Sequence, residues 1–519
     1  MKKLLVLPAL VLGMSLMAQN YSKDWHLNYS PKDTVYGINL INALNEVPKP
    51  ANAKPVIVAV IDNGVDVIHP DIKANLWTNT KDIPGNAVDD DHNGYIDDVY
   101  GWDFLGSLSK DINYDNLEMT RQLRNYKAKF GNKTSKEIAK ADKAEYKKYK
   151  ELEEKFNKEY TRIKGNFTYY QNLQKYLNAL KSELDSTNIS VAQLEAFTPN
   201  TPDAKYGHAI VSTYCNKLGM NPKGVFDQIK GGYDYFDAQY NYHYNLDYDP
   251  RKIIGDDYNN VADNKYGNNE VKGPEGEHGT HVAGIIGAVR DNNIGIQGIA
   301  PMVQIMVLRV VPDGDERDKD VAHAIRYAAD NGAKVINMSF GKAYSHDKAA
   351  VDAAIKYAES KDVLIIHAAG NDNKNTDKES NFPTPRYLDG STCSTWIEVG
   401  ASDKDQNPAS FSNYGKTTVN VFAPGVQIYS TVPDNKYEAF DGTSMAAPVV
   451  AGVAGLIRAY YPNLSAVQVK QAIESSVIKP EMKVKLPGTK KKKTKYKKLC
   501  TTAGIVNAAA ALKAASLMK

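Results

Sequence analysis

Cysteine is scarce in this sequence, and so is an excess of charge of either sign. The three cysteines, Cys215, Cys393 and Cys500, in 519 residues exclude a disulfide-dense scaffold and leave at least one thiol without an intramolecular partner. No group of Cys and His has the spacing of a zinc site. The net charge of +3 points to no nucleic-acid or membrane-surface partner. The lysine run within residues 490–498 is interpreted as a solvated loop.

Long apolar runs are also lacking, except at the N-terminus. There, Lys2 and Lys3 precede an apolar stretch, residues 4–17, and a small residue, Ala18. This pattern predicts a signal peptide over residues 1–18 that is too short to span a bilayer. The alternative is an ordinary N-terminal helix of the fold. The first interpretation predicts export to a periplasm or the extracellular space, with no integral membrane segment after removal of the signal.

Three segments each present a reactive side chain beside an apolar run. Residues 56–61 are β-branched and apolar and end in Asp62, as a buried parallel strand does at the edge of a sheet. His278 opens a helix of small and apolar residues, and Ser444 precedes the apolar helix 449–457. A serine hydroxyl needs a base in order to act as a nucleophile, and an acid can hold that base in the correct tautomer. The segments thus suggest Ser444 as nucleophile, His278 as general base and acid, and Asp62 as the group that orients His278.

These segments, in the order Asp, His, Ser, resemble the catalytic motifs of the subtilisin-like serine peptidases, the subtilases. The resemblance rests on Asp62-Asn63-Gly64, His278-Gly279-Thr280-His281 and Gly442-Thr443-Ser444-Met445-Ala446. It implies that Asn371, in Ala368-Ala369-Gly370-Asn371, donates to the oxyanion together with the N–H of Ser444. It also places Ser339, Phe340, Gly341 and Gly370 in the substrate cleft, where an extended peptide pairs with the backbone of residues 339–341. Asp372 follows Asn371 and would favour a basic residue before the scissile bond.

The predicted fold is α/β, a subtilisin-like three-layer α/β/α arrangement with a mainly parallel central sheet and an α-helical insertion. The alternation of a strand at 303–310, a helix at 318–331 and a strand at 335–338 indicates βαβ units. The predicted organisation is the signal peptide at 1–18, the lead-in and first part of the catalytic domain at 19–104, the helical insertion at 105–240, and the remainder of the catalytic domain at 241–519.

The insertion lengthens the interval between Asp62 and His278. Apolar and tyrosine side chains recur at three- and four-residue steps on both sides of residues 164–166, which predicts two amphipathic helices in a hairpin. Ser190 and Gln193 predict a capping box that opens a third helix. The apolar stripe is interpreted as the insertion's own core. The alternative is an arm that gates substrate or docks a partner.

Two loops are candidates for structural calcium, which prefers carboxylate, amide and carbonyl oxygens. Asp89, Asp91 and Asn93 alternate before Gly94 and are followed by Asp97, as in the first half of an EF-hand loop. The subtilase resemblance implies a second site at Asp71, with companions among residues 291–293, of which Asp291 and Asn293 are the expected ligands. The alternative for the first loop is an acidic solvated turn.

Taken together, the motifs predict an exported serine endopeptidase that hydrolyses peptide bonds of protein or peptide substrates through an acyl-enzyme on Ser444. Two alternatives stay open at this point. One is a maturation protease of narrow specificity whose insertion restricts access to the active site. The other is a subtilase scaffold without catalytic activity that serves as a binding protein, with the insertion as its interaction surface.

Overall fold

A computed structural model describes residues 22–107, 109–131, 133–184 and 189–518. The predicted signal peptide, residues 1–18, lies outside the described residues. All three cysteines are free.

A seven-stranded parallel sheet forms the centre of the molecule. Its strands are β1 (Val56–Asp62), β2 (Gly101–Asp103), β3 (Val303–Arg309), β4 (Val335–Met338), β5 (Leu364–Ala368), β6 (Trp396–Ser402) and β7 (Val421–Pro424). Their spatial order is β2-β3-β1-β4-β5-β6-β7. In register, Asp62 at the end of β1 lies beside Arg309 at the end of β3. The strands are apolar on both faces because helices cover both sides of the sheet.

An antiparallel hairpin, β8 (Ile428–Val432) and β9 (Lys436–Phe440), leads from the sheet to the segment that contains Ser444. Two shorter antiparallel pairs join Tyr29–Ser30 to Val35–Tyr36 and Val484–Lys485 to Lys493–Thr494. The α-helices of the described residues are α1 (Leu40–Glu46), α2 (Glu118–Phe130), α3 (Lys143–Leu184), α4 (Val191–Ala196), α5 (Pro202–Leu218), α6 (Pro222–Ala238), α7 (Arg251–Ile254), α8 (Glu277–Gly287), α9 (Asp318–Asp330), α10 (Lys348–Ser360), α11 (Thr443–Tyr460), α12 (Ala466–Ser475) and α13 (Ala508–Ser516).

Helices pack on both faces of the sheet, so the predicted three-layer α/β/α fold is confirmed. One core contains buried side chains of α1, α8, α11, α12 and α13. The other core contains those of α9 and α10. Within the described residues, α11 alone is long and apolar enough to cross a membrane, with a mean hydropathy of 1.2, and 94% of it is buried inside the protein. The core helix of a water-soluble domain passes the same test.

The insertion is helical, but the predicted hairpin is wrong. Residues 164–166 do not break the chain, and α3 is one continuous helix of 42 residues. A Cβ at Gly165 would have nothing within 4 Å, so this glycine costs only its poor helix propensity, about 1 kcal/mol. Both halves of the helix bury apolar residues on either side of Gly165, including Ile163 and Leu173. This packing stabilises the continuous helix by more than the poor helix propensity of Gly165 destabilises it.

The insertion has two hydrophobic cores of its own, as the apolar stripe predicted. The first half of α3 packs with α2 and with Tyr244, and the second half packs with α5 and α6. The capping box at Ser190 and Gln193 is present at the start of α4. Helical structure extends past the predicted boundary at 240, because α6 continues into a π-helical turn, Gln239–His243. Docking of a partner on the insertion stays a prediction.

Candidate active site

The C-terminal edge of the sheet brings the predicted reactive residues together. Asp62 is the last residue of β1, His278 is the second residue of α8, and Ser444 is the second residue of α11. Asp62 and His278 line a cavity of about 280 Å³ together with Ser339 and Phe340. Ser339 is hydrogen-bonded to Ser444. One cleft therefore adjoins the acid, the base and the serine, as expected for the strand ends of an open α/β sheet.

The carboxylate of Asp62 orients the imidazole of His278. Nδ1 of His278 lies 2.7 Å from Oδ1 of Asp62, which also accepts the N–H of Asn63 at 2.8 Å. Asp62 is buried, whereas 36% of the His278 side chain is exposed. Burial lowers the pKa of His278, but the Asp62 carboxylate more than offsets this effect, so the pKa is raised above its usual 6.5. No hydrogen bond within the described residues occupies Nε2 of His278, so that atom can accept a proton.

The hydroxyl of Ser444 donates to the backbone carbonyl of Ser339 at 2.9 Å. In return, the Ser339 hydroxyl donates to the carbonyl of Ser444 at 2.8 Å, and Nδ2 of Asn337 donates to that hydroxyl at 3.0 Å. These bonds tie the start of α11 to the end of β4. The Ser444 N–H is among the first four of α11, which have no partner inside the helix, and the positive end of the helix dipole lies there.

Asn371 is held with its amide group free to donate. Its Oδ1 accepts the N–H and the hydroxyl of Thr443, both at 2.9 Å. Its Nδ2 donates no hydrogen bond within the described residues, and it lies 3.7 Å from the place of a Cβ at Gly442. The role of Asn371 as oxyanion donor stays a prediction. Sequence analysis missed the role of Thr443, although this residue belongs to the serine motif.

The predicted cleft residues contribute in different ways. Ser339 and Phe340 line the cavity beside His278, whereas Gly341 lines a neighbouring pocket. The N–H of Gly370 donates to the Thr443 hydroxyl at 3.1 Å, so it is not free for a substrate. Gly370 instead makes a tight turn with φ +98°, where a Cβ would lie 2.5 Å from Nδ2 of Asn413.

The acidic loop brings together part of the predicted calcium set. Carboxylate oxygens of Asp82, Asp89 and Asp91 lie within 4.8 Å of one another, which fits the oxygen ligands of a hard cation. Asp97 lies outside this group, and its carboxylate accepts the N–H groups of residues 85–87. The amide of Asn93 donates to Asp98 instead. Asp82 was missed because it lies outside the alternating pattern.

The second predicted calcium site has a different neighbour from those expected. The buried carboxylate of Asp71 accepts Nδ2 of Asn292 at 2.7 Å and the N–H of Ile296 at 2.9 Å. Asn292 therefore faces Asp71, rather than Asp291 or Asn293. Both of those residues have positive φ, 59° and 61°, and turn the loop so that the residue between them points inward.

An acid, a histidine and a serine at the edge of a parallel sheet, with an amide group beside the serine, are the arrangement of residues found in serine hydrolases. The model of the subtilase family matches residues 53–504, and the chain belongs to this family. It is 37% identical to the thermophilic serine proteinase of Bacillus sp. (strain AK1) over 290 residues, which are 55% of this chain and 65% of the relative. It is 41% identical to thermitase of Thermoactinomyces vulgaris over 203 residues, 39% of this chain and 67% of thermitase.

The chain thus spans less than two thirds of the length of the Bacillus relative. Among solved structures, a protease from Pseudoalteromonas arctica is similar with a TM-score of 0.38 and 30% identity, over 46% of this chain and 70% of that one.

Proposed function

We propose that this protein is an exported serine endopeptidase that cleaves protein or peptide substrates through an acyl-enzyme on Ser444. The observation that carries the proposal is the 2.7 Å contact between Asp62 and His278 at the mouth of the cleft that adjoins Ser444. It leaves the other nitrogen of the base available to the nucleophile. Export rests on the N-terminal apolar stretch alone.

The proposed reaction begins with a change of partner by Ser444. Its hydroxyl turns from the Ser339 carbonyl to Nε2 of His278, which takes the proton as Oγ attacks the substrate carbonyl. Asp62 stabilises the imidazolium that forms. The oxyanion accepts from Nδ2 of Asn371 and the N–H of Ser444. His278 then gives the proton to the leaving amine, and a water molecule hydrolyses the ester by the same route in reverse.

Labelling with a fluorophosphonate probe tests this function directly. We expect the probe to phosphonylate the wild-type protein and to leave Ser444→Ala and His278→Ala unlabelled, because attack on phosphorus needs both the hydroxyl and its base. Folded wild-type protein without label would contradict the proposal and favour the binding-protein alternative. A panel of unfolded proteins then distinguishes a broad protease, which cleaves most of them, from a maturation protease, which cleaves few.

Asn371→Ala is expected to lower kcat by about 10²–10³-fold with little change in KM, because the lost donor acts on the oxyanion rather than on the bound substrate. Steady-state kinetics on a peptide substrate measure the effect. Asn371→Asp is the matched control, since a carboxylate keeps the acceptor for Thr443 but removes the donor. Recovery of activity in Asn371→Asp would show that the loss came from a misplaced Thr443 and not from the oxyanion.

The raised pKa of His278 predicts the pH dependence of kcat/KM. Only the neutral imidazole accepts the proton, so activity falls as the pH drops through the pKa of the free enzyme. Since Asp62 raises that pKa, we expect the midpoint of the acidic limb to lie above 6.5. In Asp62→Asn, the residual activity should have its midpoint at lower pH. A wild-type midpoint below 6.5 would contradict the assigned electrostatics.

We also propose structural calcium at Asp82, Asp89 and Asp91, with Asp71 and Asn292 as a second candidate pair. The test uses Ser444→Ala protein to prevent self-digestion. Removal of calcium by EGTA should lower its melting temperature, because a ligand at 100 times its Kd stabilises by about 2.7 kcal/mol. Asp89→Asn should melt lower and respond less to EGTA. An unchanged melting temperature together with no bound metal would end this proposal.

A further inference from the structure

Positive charge is concentrated in one segment, residues 483–498, which we call the lysine hairpin. Nine of its sixteen residues are lysine and none is acidic, and all nine lysines are exposed. In the described part of the chain, no carboxylate lies within 4 Å of any of their ammonium groups. Because the net charge of the whole chain is only +3, the rest of the molecule is negative overall. The small net charge therefore conceals a strongly basic surface.

The lysines extend from a strand pair rather than from a free loop. Val484–Lys485 pairs with Lys493–Thr494, and Lys485 lies directly opposite Lys493. Like charges at directly opposed positions destabilise a strand pair, so the stability of the fold does not account for this arrangement. A negatively charged partner would relieve the repulsion.

The lysine hairpin is fixed against the segment that contains Asn371. Its buried Tyr496 shares a hydrophobic core with Ala369, two residues before Asn371. At the turn of the hairpin, a Cβ on Gly488 would clash with the side chain of Asn373, two residues after Asn371. The basic surface is therefore held beside the segment of the predicted oxyanion donor.

We propose that the lysine hairpin is a docking surface for acidic polypeptide segments of protein substrates. Its charge is complementary to such segments, and docking beside the active site raises the concentration of substrate there. A nucleic acid fits less well, because the hairpin has no arginine for bidentate phosphate contacts and its one aromatic residue, Tyr496, is buried and offers no stacking surface. This inference rests on the proposed function, because it names a substrate class of the same enzyme.

Binding is measured with Ser444→Ala protein, which does not cleave its ligand. We expect a fluorescent polyglutamate peptide to bind and a neutral glycine–serine peptide of the same length not to bind. The affinity for polyglutamate should fall as the salt concentration rises, because salt screens the exposed charges.

Two quadruple variants in this background show whether the hairpin is the binding surface. Removal of four of its lysines should weaken polyglutamate binding at least about tenfold. The matched control removes the same charge from exposed lysines of α3 and should leave the affinity unchanged. The hairpin variant is Lys490→Gln/Lys491→Gln/Lys492→Gln/Lys493→Gln, and the control is Lys143→Gln/Lys148→Gln/Lys155→Gln/Lys158→Gln.

Cleavage of paired substrates by otherwise wild-type protein tests the role of docking in turnover. Two quenched peptides share one cleavable sequence and carry either a glutamate tail or a neutral tail, placed in turn at each end. At one end, we expect the glutamate tail to lower KM about tenfold with little change in kcat, because docking binds substrate and transition state equally. The hairpin variant should lose this difference, and the α3 variant should keep it.

Equal KM values for both tails at both ends, in wild-type protein that reacts with the fluorophosphonate probe, would overturn this inference alone. Tighter binding of phosphatidylglycerol vesicles or of single-stranded DNA than of polyglutamate, at equal concentration of charge, would also overturn it and assign the hairpin to a membrane or a nucleic acid. Folded wild-type protein that neither reacts with the probe nor cleaves either peptide would instead overturn the proposed function.

Discussion

Ser444→Ala is expected to lower kcat by about a million-fold, the size of the loss when the nucleophile of subtilisin is removed. The alanine side chain cannot form the acyl-enzyme, whereas the fold should be unaffected. The lost hydroxyl makes one hydrogen bond, to the carbonyl of Ser339, and the carbonyl of residue 444 still accepts from the Ser339 hydroxyl. Turnover of a quenched peptide by protein of matched concentration and melting temperature measures the effect.

The double variant Ser444→Ala/His278→Ala provides the control for this result. The losses of activity caused by removing residues that act in one catalytic step are not additive. The double variant should therefore be no less active than either single variant. A residual rate in Ser444→Ala within about a hundredfold of wild type would require a different nucleophile, since oxyanion binding alone leaves far less. Strictly additive losses would show that His278 acts independently of Ser444.

The sheet and the position of its reactive residues could be predicted from the sequence because the signals are local. The apolar run that becomes β1 ends at Asp62, and parallel strands buried on both faces present their C-terminal ends at one edge. The segments of His278 and Ser444 begin helices in the structure as they do in the sequence pattern. Residues adjacent in sequence therefore carried most of the information about this site.

The partner of the Ser444 hydroxyl could not be predicted in the same way. Ser339 lies 105 positions earlier in the chain, and its segment was recognised for backbone pairing with substrate. Likewise, the amide oxygen of Asn371 is engaged by Thr443, 72 positions away. Such contacts depend on the order of strands in the sheet, which the periodicity of each element does not encode.

The insertion shows where local patterns mislead. A glycine between two amphipathic stretches predicted a turn at residues 164–166, but packing against α5, α6 and Tyr244 keeps α3 continuous. In the acidic loop, the alternating pattern likewise differs from the cluster of carboxylates, which contains Asp82 and not Asp97. Alternation along the chain suggested one ligand set, but the carboxylate of Asp97 instead binds backbone N–H groups upstream. In both cases, tertiary contacts outweighed the period of the sequence.

Buried ion pairs between the insertion and the catalytic domain were not visible in the sequence at all. Asp115, just before α2, is fully buried and accepts Nε of Arg317 at 2.6 Å. Beyond the C-terminal end of the insertion, Arg251 on α7 contacts Asp320 on α9. In sequence, these residues are ordinary charged positions of the kind that usually face solvent. The first pair ties the insertion to the catalytic domain, so deletion of the insertion would remove Asp115 and leave the buried Arg317 without this partner.

Arg251→Met is accordingly expected to reduce the free energy of unfolding by about 3–5 kcal/mol, the usual cost of removing one partner of a buried pair. Two guanidinium nitrogens donate to the two oxygens of Asp320, each at 2.7 Å, and Arg251 also contacts Asp256. Lys319 remains to pair with Asp256, but among the described residues Asp320 keeps only the Tyr266 hydroxyl, at 2.6 Å. Urea unfolding in the Ser444→Ala background, where self-digestion is absent, measures the change.

Two further variants separate the charge from the packing of Arg251. Arg251→Lys keeps the cation but not the paired donors, so its loss should be smaller than that of methionine. Arg251→Met/Asp320→Asn removes the unpaired charge while an amide oxygen can still accept from Tyr266, so it should recover part of the stability lost in Arg251→Met. If the double variant were less stable than the single variant, the cost would come from lost packing of the arginine stem. The carboxylate of Asp320 would then be neutral or solvated without its partner, and the ion pair would contribute little to holding α7 against α9.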